Sequence, residues 1–194
     1  MKTEKPRVIC DRENRRIWIL GLVSSVTCER VIAYLDILTK ESLASIKIIL
    51  SGEGGNFFSC LEIYQILKMI GSKCEITTIG YKQVYSGAFL IFQAGNERLA
   101  VNGTKFILHQ AVMPLESLTG DELNADRLYE LTRMLDKLDA IQFLIFTLRG
   151  KPMDDMKRFL RHKVIFTAQQ ARKFGLADQV IEAKNLPWLE LKRA

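Results

Sequence analysis

No stretch of about eighteen consecutive apolar residues occurs in the 194-residue chain, so no membrane-spanning helix is expected. Cysteine is sparse. Cys10, Cys28, Cys60 and Cys74 show neither metal-site spacing nor a C-x-x-C pair, which argues against a metal centre, a disulfide framework and a redox dithiol. They read as free thiols in a reducing cytoplasm, and no cofactor or metal is expected. Cys60, weighed as a nucleophile, reads as a buried inert thiol. There are only two histidines, His109 and His162, and His162 reads as a surface residue on a basic helix. No low-complexity linker and no internal repeat divides the chain, so one domain with a sizeable core is expected. The N-terminal Met1-Lys2-Thr3-Glu4-Lys5-Pro6 is charged and has no apolar signal-peptide core, which agrees with a cytoplasmic location. The net charge is +6, yet no basic patch interleaved with aromatics and no known nucleic-acid module is present. Nucleic acid is therefore not expected. The basic clusters Lys157-Arg158 to Lys163 and Lys192-Arg193 read as a solvated face or one that meets an acidic partner.

What is present is an ordinary globular composition, with 48% hydrophobic and 26% charged residues. Residues 15–23 read as a first core strand after a charged arm. Residues 28–44 carry Val31, Ile32, Leu35, Ile37 and Leu38 at roughly helical spacing. Lys47–Leu50 is a short buried strand, broken by Ser51-Gly52-Glu53-Gly54-Gly55. A helix with Leu61, Ile63, Tyr64, Ile66, Leu67 and Ile70 follows. Residues 74–79 form another strand that stops at Gly80, and a polar turn then leads to a helix over 87–94. Residues 97–101 and 105–109 are two further strands. Leu123, Leu128, Leu131, Leu135 and Leu138 recur at helical spacing in a long helix over 121–148, with Asp121-Glu122 at its start. Its end, Ile141–Leu148, is apolar almost all round and must be buried. A helix begins near Asp154. Another starts at Thr167, with Thr167 as N-cap and Gln170 three positions on, and Gly175 ends it. Gln179–Ile181 is a last strand. Strands alternating with helices imply an α/β layered domain.

Two segments carry chemistry. Ser86-Gly87 opens an apolar helix just after a strand, where a hydroxyl is exposed and backbone N–H groups are free. His109 follows the strand Phe106-Ile107-Leu108. Serine and histidine at strand ends are the minimum apparatus for acyl transfer.

The ordered set of motifs resembles the proteolytic subunit of the Clp protease, within the wider crotonase-like fold. The motifs are Gly54-Gly55 followed by a helix with Ile63-Tyr64, Gly87-Ala88-Phe89-Leu90 with Ala94-Gly95 beyond, and Ile107-Leu108-His109-Gln110. Gly150 and the stretch from Thr167-Ala168-Gln169-Gln170-Ala171 to Phe174-Gly175-Leu176-Ala177-Asp178 complete it. The resemblance implies repeated β-β-α layers with a long handle helix. It divides the chain into a short arm (1–14), a head (15–120 and 149–183), the handle (121–148) and a tail (184–194). It further implies serine-type hydrolysis of unfolded polypeptides inside a ring-shaped chamber of homo- or hetero-oligomeric heptamers, fed by an AAA+ unfoldase. The expected machinery is Ser86 as nucleophile, His109 as base, and the Gly55 and Gly87 N–H groups as oxyanion hole. Phe57, Phe58 and Met113 are candidates for a substrate groove.

Three departures from the family pattern stand out. Counting back from Gly87-Ala88 puts Tyr85 at the family's serine position, with Ser86 one place later. The segment between Gly80 and Gly87 is one residue longer than the family norm, which brings Ser86 toward the turn. The family's acid falls on Phe159, which can neither orient a histidine nor stabilise an imidazolium. Asp155, one helical turn earlier, is the candidate substitute. The N-terminal arm is short where the family gates its pore and touches the unfoldase. Two readings thus remain open: a peptidase with an altered site, and a catalytically inactive subunit that co-assembles with an active paralogue. An acyl-CoA enzyme of the crotonase type is disfavoured by chain length, by the handle-like helix and by the lack of a carboxylate base near Gly87.

Overall fold

The computed structural model describes residues 5–113, 124–148 and 153–189. It divides into two compact units, Met1–Ile107 with Ile165–Ala194, and Leu108–Val164.

The first unit is built on a sheet. β1 (Arg7–Asp11) runs antiparallel to β2 (Arg16–Val23). β2, β3 (Ile46–Gly55), β4 (Ile76–Tyr85), β5 (Glu97–Val101) and β8 (Gln179–Ile181) then follow in parallel, in the order β1-β2-β3-β4-β5-β8. Parallel neighbours need crossover connections. α1 (Ser25–Glu41), α2 (Phe57–Ile70) and α3 (Gly87–Phe92) supply three of them. β3 lies mid-sheet, and its Ile48, Ile49 and Leu50 are fully buried. That burial explains a run of apolar residues without alternation. Against Trp18, Leu20, Ile49, Ile79 and Val101 packs Leu189, with Leu186 and Trp188 beside it. Trp188 meets Trp18 edge-on at 6.1 Å, and the Arg16 guanidinium lies 4.0 Å over its ring.

Three strands turn a corner at one level. The register shifts between Leu20 and Leu22 in β2 and between Leu50 and Gly52 in β3. In β4, Lys82 takes φ 60°. A Cβ on Gly52 would lie 2.1 Å from the Gly21 carbonyl oxygen, so only glycine lets the two backbones pass. Beyond the corner, Gln83–Tyr85 leave β5 behind and pair with β6 (Lys105–Leu108), which pairs in turn with β7 (Val164–Thr167). The far ends of β3 and β4 are thereby carried to a common edge.

These elements correct several expectations. The stretches Ser51–Gly55 and Gly80–Tyr85, read as a break and a polar turn, are continuations of β3 and β4. The charged arm contains β1, and β7 precedes the last capped helix. The remaining elements fall close to where the pattern put them. In α6 (Ala168–Lys173) the Thr167–Gln170 capping box is present with both hydrogen bonds.

A phenylalanine cluster anchors α3. Phe106 stacks at 4.9 Å from Phe89 and 5.1 Å from Phe92, while Phe166 meets Phe89 at 6.4 Å and Phe174 at 5.7 Å. Such ring pairs add directional preference to their large buried area, and they hold the short helix by its apolar side. Nearby, the buried Arg98 guanidinium donates to Asp178 at 2.7 Å, to the Gly175 carbonyl at 2.9 Å and to Gln93 at 2.5 Å.

The second unit contains α4 (Ala125–Thr147), α5 (Met153–Arg161) and the segment that leaves β6. Asn124 caps α4 by accepting the Arg127 N–H. The expected start at Asp121-Glu122 lies outside the described residues. Leu131, Leu138, Ile145 and Phe146 are buried along α4, whereas Leu128, Tyr129, Leu144 and Leu148 are exposed. The apolar end of this helix is thus only partly covered.

Candidate functional site

One group of candidate residues lies at the junction of β4 and α3, within the first unit. Ser86 is the N-cap of α3 and holds φ 52°, ψ −122°. This is the first central position of a type II′ turn, a region that non-glycine residues occupy at about 1–3 kcal/mol of strain. Its backbone N–H donates to the Ile107 carbonyl at 2.8 Å, which locks the turn to β6. Ser24, Asn56, Asn124 and Thr167 cap their helices through their side chains, but the Ser86 hydroxyl makes no capping hydrogen bond. It is a strained, half-buried serine whose hydroxyl is not committed to its helix.

Against this turn lies the end of β3. Gly54 and Gly55 both have positive φ, 87° and 144°. A Cβ on Gly54 would stand 2.5 Å from the Gly87 nitrogen and 2.7 Å from the Tyr85 carbonyl oxygen. A Cβ on Gly87 would meet Cys60 Sγ at 2.4 Å and lie 3.6 Å from the Gly55 nitrogen. The two turns therefore pack backbone to backbone, and there is no room for a side chain on Gly54 or Gly87. Gly87 is the first residue of α3, so its N–H has no partner within the helix. Phe57 and Phe58 open α2 directly after this turn, with Phe58 exposed and Phe57 half-buried.

Tyr85 closes β4 opposite Ile107 and is half-buried. It is a strand residue, and the elbow conformation falls on Ser86. Cys60 is fully buried beneath Gly87, and burial pushes its thiol up to about 12. That state is inert, as expected from the sequence.

The second unit carries the histidine. His109 directly follows β6 and is half-buried. Its Nδ1 lies 2.5 Å from the Gln110 carbonyl oxygen. A carbonyl can only accept, so this bond requires the proton on Nδ1, and in that tautomer the lone pair is at Nε2. The next residues are tied to α4. Asp139 accepts the Ala111 N–H at 2.6 Å and the Gln110 amide at 3.0 Å. Nothing in the sequence singled out Asp139, because a lone aspartate on a charged helix face carries no local signal. Phe159 is buried. Asp155 lies in α5, and its side chain is outside the described residues. Met113 belongs to this second unit, and His162 is exposed.

Among the described residues, no cluster of His, Cys, Asp or Glu has the arrangement of a metal site. No helix there is long and apolar enough to cross a membrane.

Comparison with known proteins bears on this arrangement. The sequence is 28% identical over 175 residues to the ATP-dependent Clp protease proteolytic subunit 2 of Frankia casuarinae, covering 88% of this chain and 77% of that one. It is 26% identical to proteolytic subunit 1 of Streptomyces avermitilis, covering 87% and 76%. To proteolytic subunit 3 of Rhizobium johnstonii it is 25% identical, covering 89% and 86%. A solved ClpP1 variant from Listeria monocytogenes superposes with a TM-score of 0.73 at 19% identity, over 90% of this chain and 95% of that one, which establishes the same α/β fold. The sequence model of the Clp protease family matches residues 9–184, nearly the full length, and the chain belongs to that family.

Proposed function

We propose that this chain is a serine-type peptidase subunit that hydrolyses unfolded polypeptides with Ser86 as nucleophile and His109 as general base. The conformation of Ser86 carries the reading. A strained, uncapped serine faces a double-glycine turn at the start of a helix, the local geometry of a nucleophile elbow. The pairing of this serine with His109 rests on the family to which the chain belongs.

In this mechanism His109 Nε2 takes the proton from Ser86 Oγ as Oγ attacks the peptide carbonyl. The imidazolium then protonates the leaving amine, and water resolves the acyl-enzyme by the same route in reverse. The oxyanion is received by the Gly55 and Gly87 N–H groups, on turns that pack without room for side chains between them. The Gln110 carbonyl orients the imidazole but brings no full negative charge to stabilise the imidazolium. Replacing the acid of a complete triad by a group of the wrong kind lowers turnover by about 10⁴-fold. A slow peptidase is therefore proposed. Apolar side chains exposed at both ends of α4, Leu128 and Tyr129 near its start and Leu144 and Leu148 at its close, support assembly with further copies or paralogous subunits. Heptameric rings, delivery by an AAA+ unfoldase and a cytoplasmic location belong to the same proposal.

One observation favours the second reading. Phe159 is buried where the family has its acid, as expected of a subunit that serves assembly alone. A fluorophosphonate probe separates the two readings. Slow labelling of the wild type that is lost in Ser86→Ala supports the peptidase. Absence of labelling, alone and after mixing with paralogous subunits, overturns it in favour of the inactive subunit.

A further inference from the structure

Asp139 lies toward the C-terminal half of α4, half-buried, and its carboxylate gathers three donors from the same unit. They are the Ala111 N–H at 2.6 Å, the Gln110 Nε2 amide at 3.0 Å and the Gln142 Nε2 amide at 3.2 Å. Three donors on one carboxyl group fix it firmly. The first of them has a consequence for His109. The Ala111 N–H and the Gln110 carbonyl are opposite poles of one peptide group, and that group is planar and rigid. At one pole sits Asp139 Oδ1. At the other sits His109 Nδ1, 2.5 Å from the carbonyl oxygen. Rotating the plane about its flanking bonds would break both hydrogen bonds together.

We propose that Asp139 is the positioning residue of His109, acting through the Gln110–Ala111 peptide to hold the imidazole as its Nδ1–H tautomer with Nε2 free to accept a proton. The carboxylate fixes the angle of the peptide plane. By accepting from the N–H it also polarises the carbonyl at the other end, which strengthens the bond to Nδ1–H. No proton moves to Asp139, and it touches no reacting atom. It does part of the work of the family's acid from a different helix, with a neutral peptide interposed. Tautomer and ring orientation are retained, and direct charge stabilisation is not. The use made of the tautomer rests on the peptidase reading above, but the tautomer itself is a property of the folded chain.

The two histidines make this measurable, because His162→Gln leaves His109 as the sole imidazole. Magic-angle-spinning ¹⁵N spectra of histidine-labelled full-length protein report which ring nitrogen is protonated, whatever the size of the assembly. They are recorded above the ordinary titration range of histidine. The expected result is protonated Nδ1 and bare Nε2 in this background. Asp139→Ala, on an exposed-sided helix where alanine is well tolerated, should shift His109 toward the Nε2–H form that free histidine prefers. Asp139→Asn, which keeps an oxygen for the Ala111 N–H, should restore Nδ1–H. Fluorophosphonate labelling of Ser86 should fall about tenfold or more in Asp139→Ala and recover in Asp139→Asn. An Nε2–H ring before Asp139 is changed, or an Nδ1–H ring that persists in an Asp139→Ala protein with unchanged circular dichroism, would overturn the proposal. A tautomer that follows Asp139 in a protein whose Ser86 is never labelled would sustain this inference and remove the peptidase reading.

Discussion

Ser86→Gly should make the protein more stable while ending any hydrolysis. The backbone at 86 holds φ 52°, ψ −122°, where a residue with a Cβ is strained by about 1–3 kcal/mol and glycine is not. Glycine gives back roughly 0.5–1 kcal/mol through the greater freedom of the unfolded chain. The difference is a net stabilisation of about 1 kcal/mol, and about 2 kcal/mol if the strain lies at the upper end. For a chain of this length, 1 kcal/mol moves Tm by roughly 2–4 °C. Ser86→Ala is the control. It keeps the Cβ and the strain and removes only a hydroxyl that makes no capping bond. Its stability should stay within about 0.5 kcal/mol of wild type. The assay is thermal unfolding followed by far-UV circular dichroism at equal protomer concentration, since assembly makes Tm concentration-dependent. The expected order is glycine above serine, with serine and alanine level. A glycine variant melting several degrees below the alanine variant would refute the argument that Ser86 is held in a conformation its own side chain disfavours.

Gly54→Ala should unfold the elbow, with a loss of at least ~2 kcal/mol, because its Cβ would lie 2.5 Å from the Gly87 nitrogen at a φ of 87°. Gly103→Ala, at the same φ with nothing within 4 Å, should lose only about 1–2 kcal/mol; denaturant melts that put the two variants level would contradict the close approach of the turns. Cys60, with its thiol pushed up to about 12 by burial, should hold roughly one thiolate in 10⁴ at pH 8. It should resist iodoacetamide until denaturant is added, and mass-spectrometric detection of rapid native alkylation at that position would show the α2–α3 contact to be open.

The helices were legible because each rests on one local pattern. Apolar spacing marked α1, α2 and α4, and a capping box marked the start of α6. The strand ends beside the candidate site were not legible, for a physical reason. Ser51-Gly52-Glu53-Gly54-Gly55 and Gly80–Tyr85 carry the glycines and polar residues that ordinarily punctuate a chain. Here the glycines permit neighbouring backbones to pass at contact distance, a tertiary circumstance that leaves no mark in the segment itself. The motif at Ser86 marked the turn but not which residue takes its positive φ, a backbone property that neither Tyr85 nor Ser86 announces by its type. The tie from Asp139 to Ala111 spans 28 residues, and neither end is distinctive in sequence.

Trp18 and Trp188 are the chain's only two tryptophans, and they meet at one seam. Tryptophan emission, excited above the tyrosine band, is therefore an optical gauge of a single event, the release of the Leu186–Leu189 clasp from the sheet, and it is blind to the serine elbow and to α4. A fluorescence melt that precedes the dichroism melt would reveal a molecule that unbuckles at this seam before it unravels.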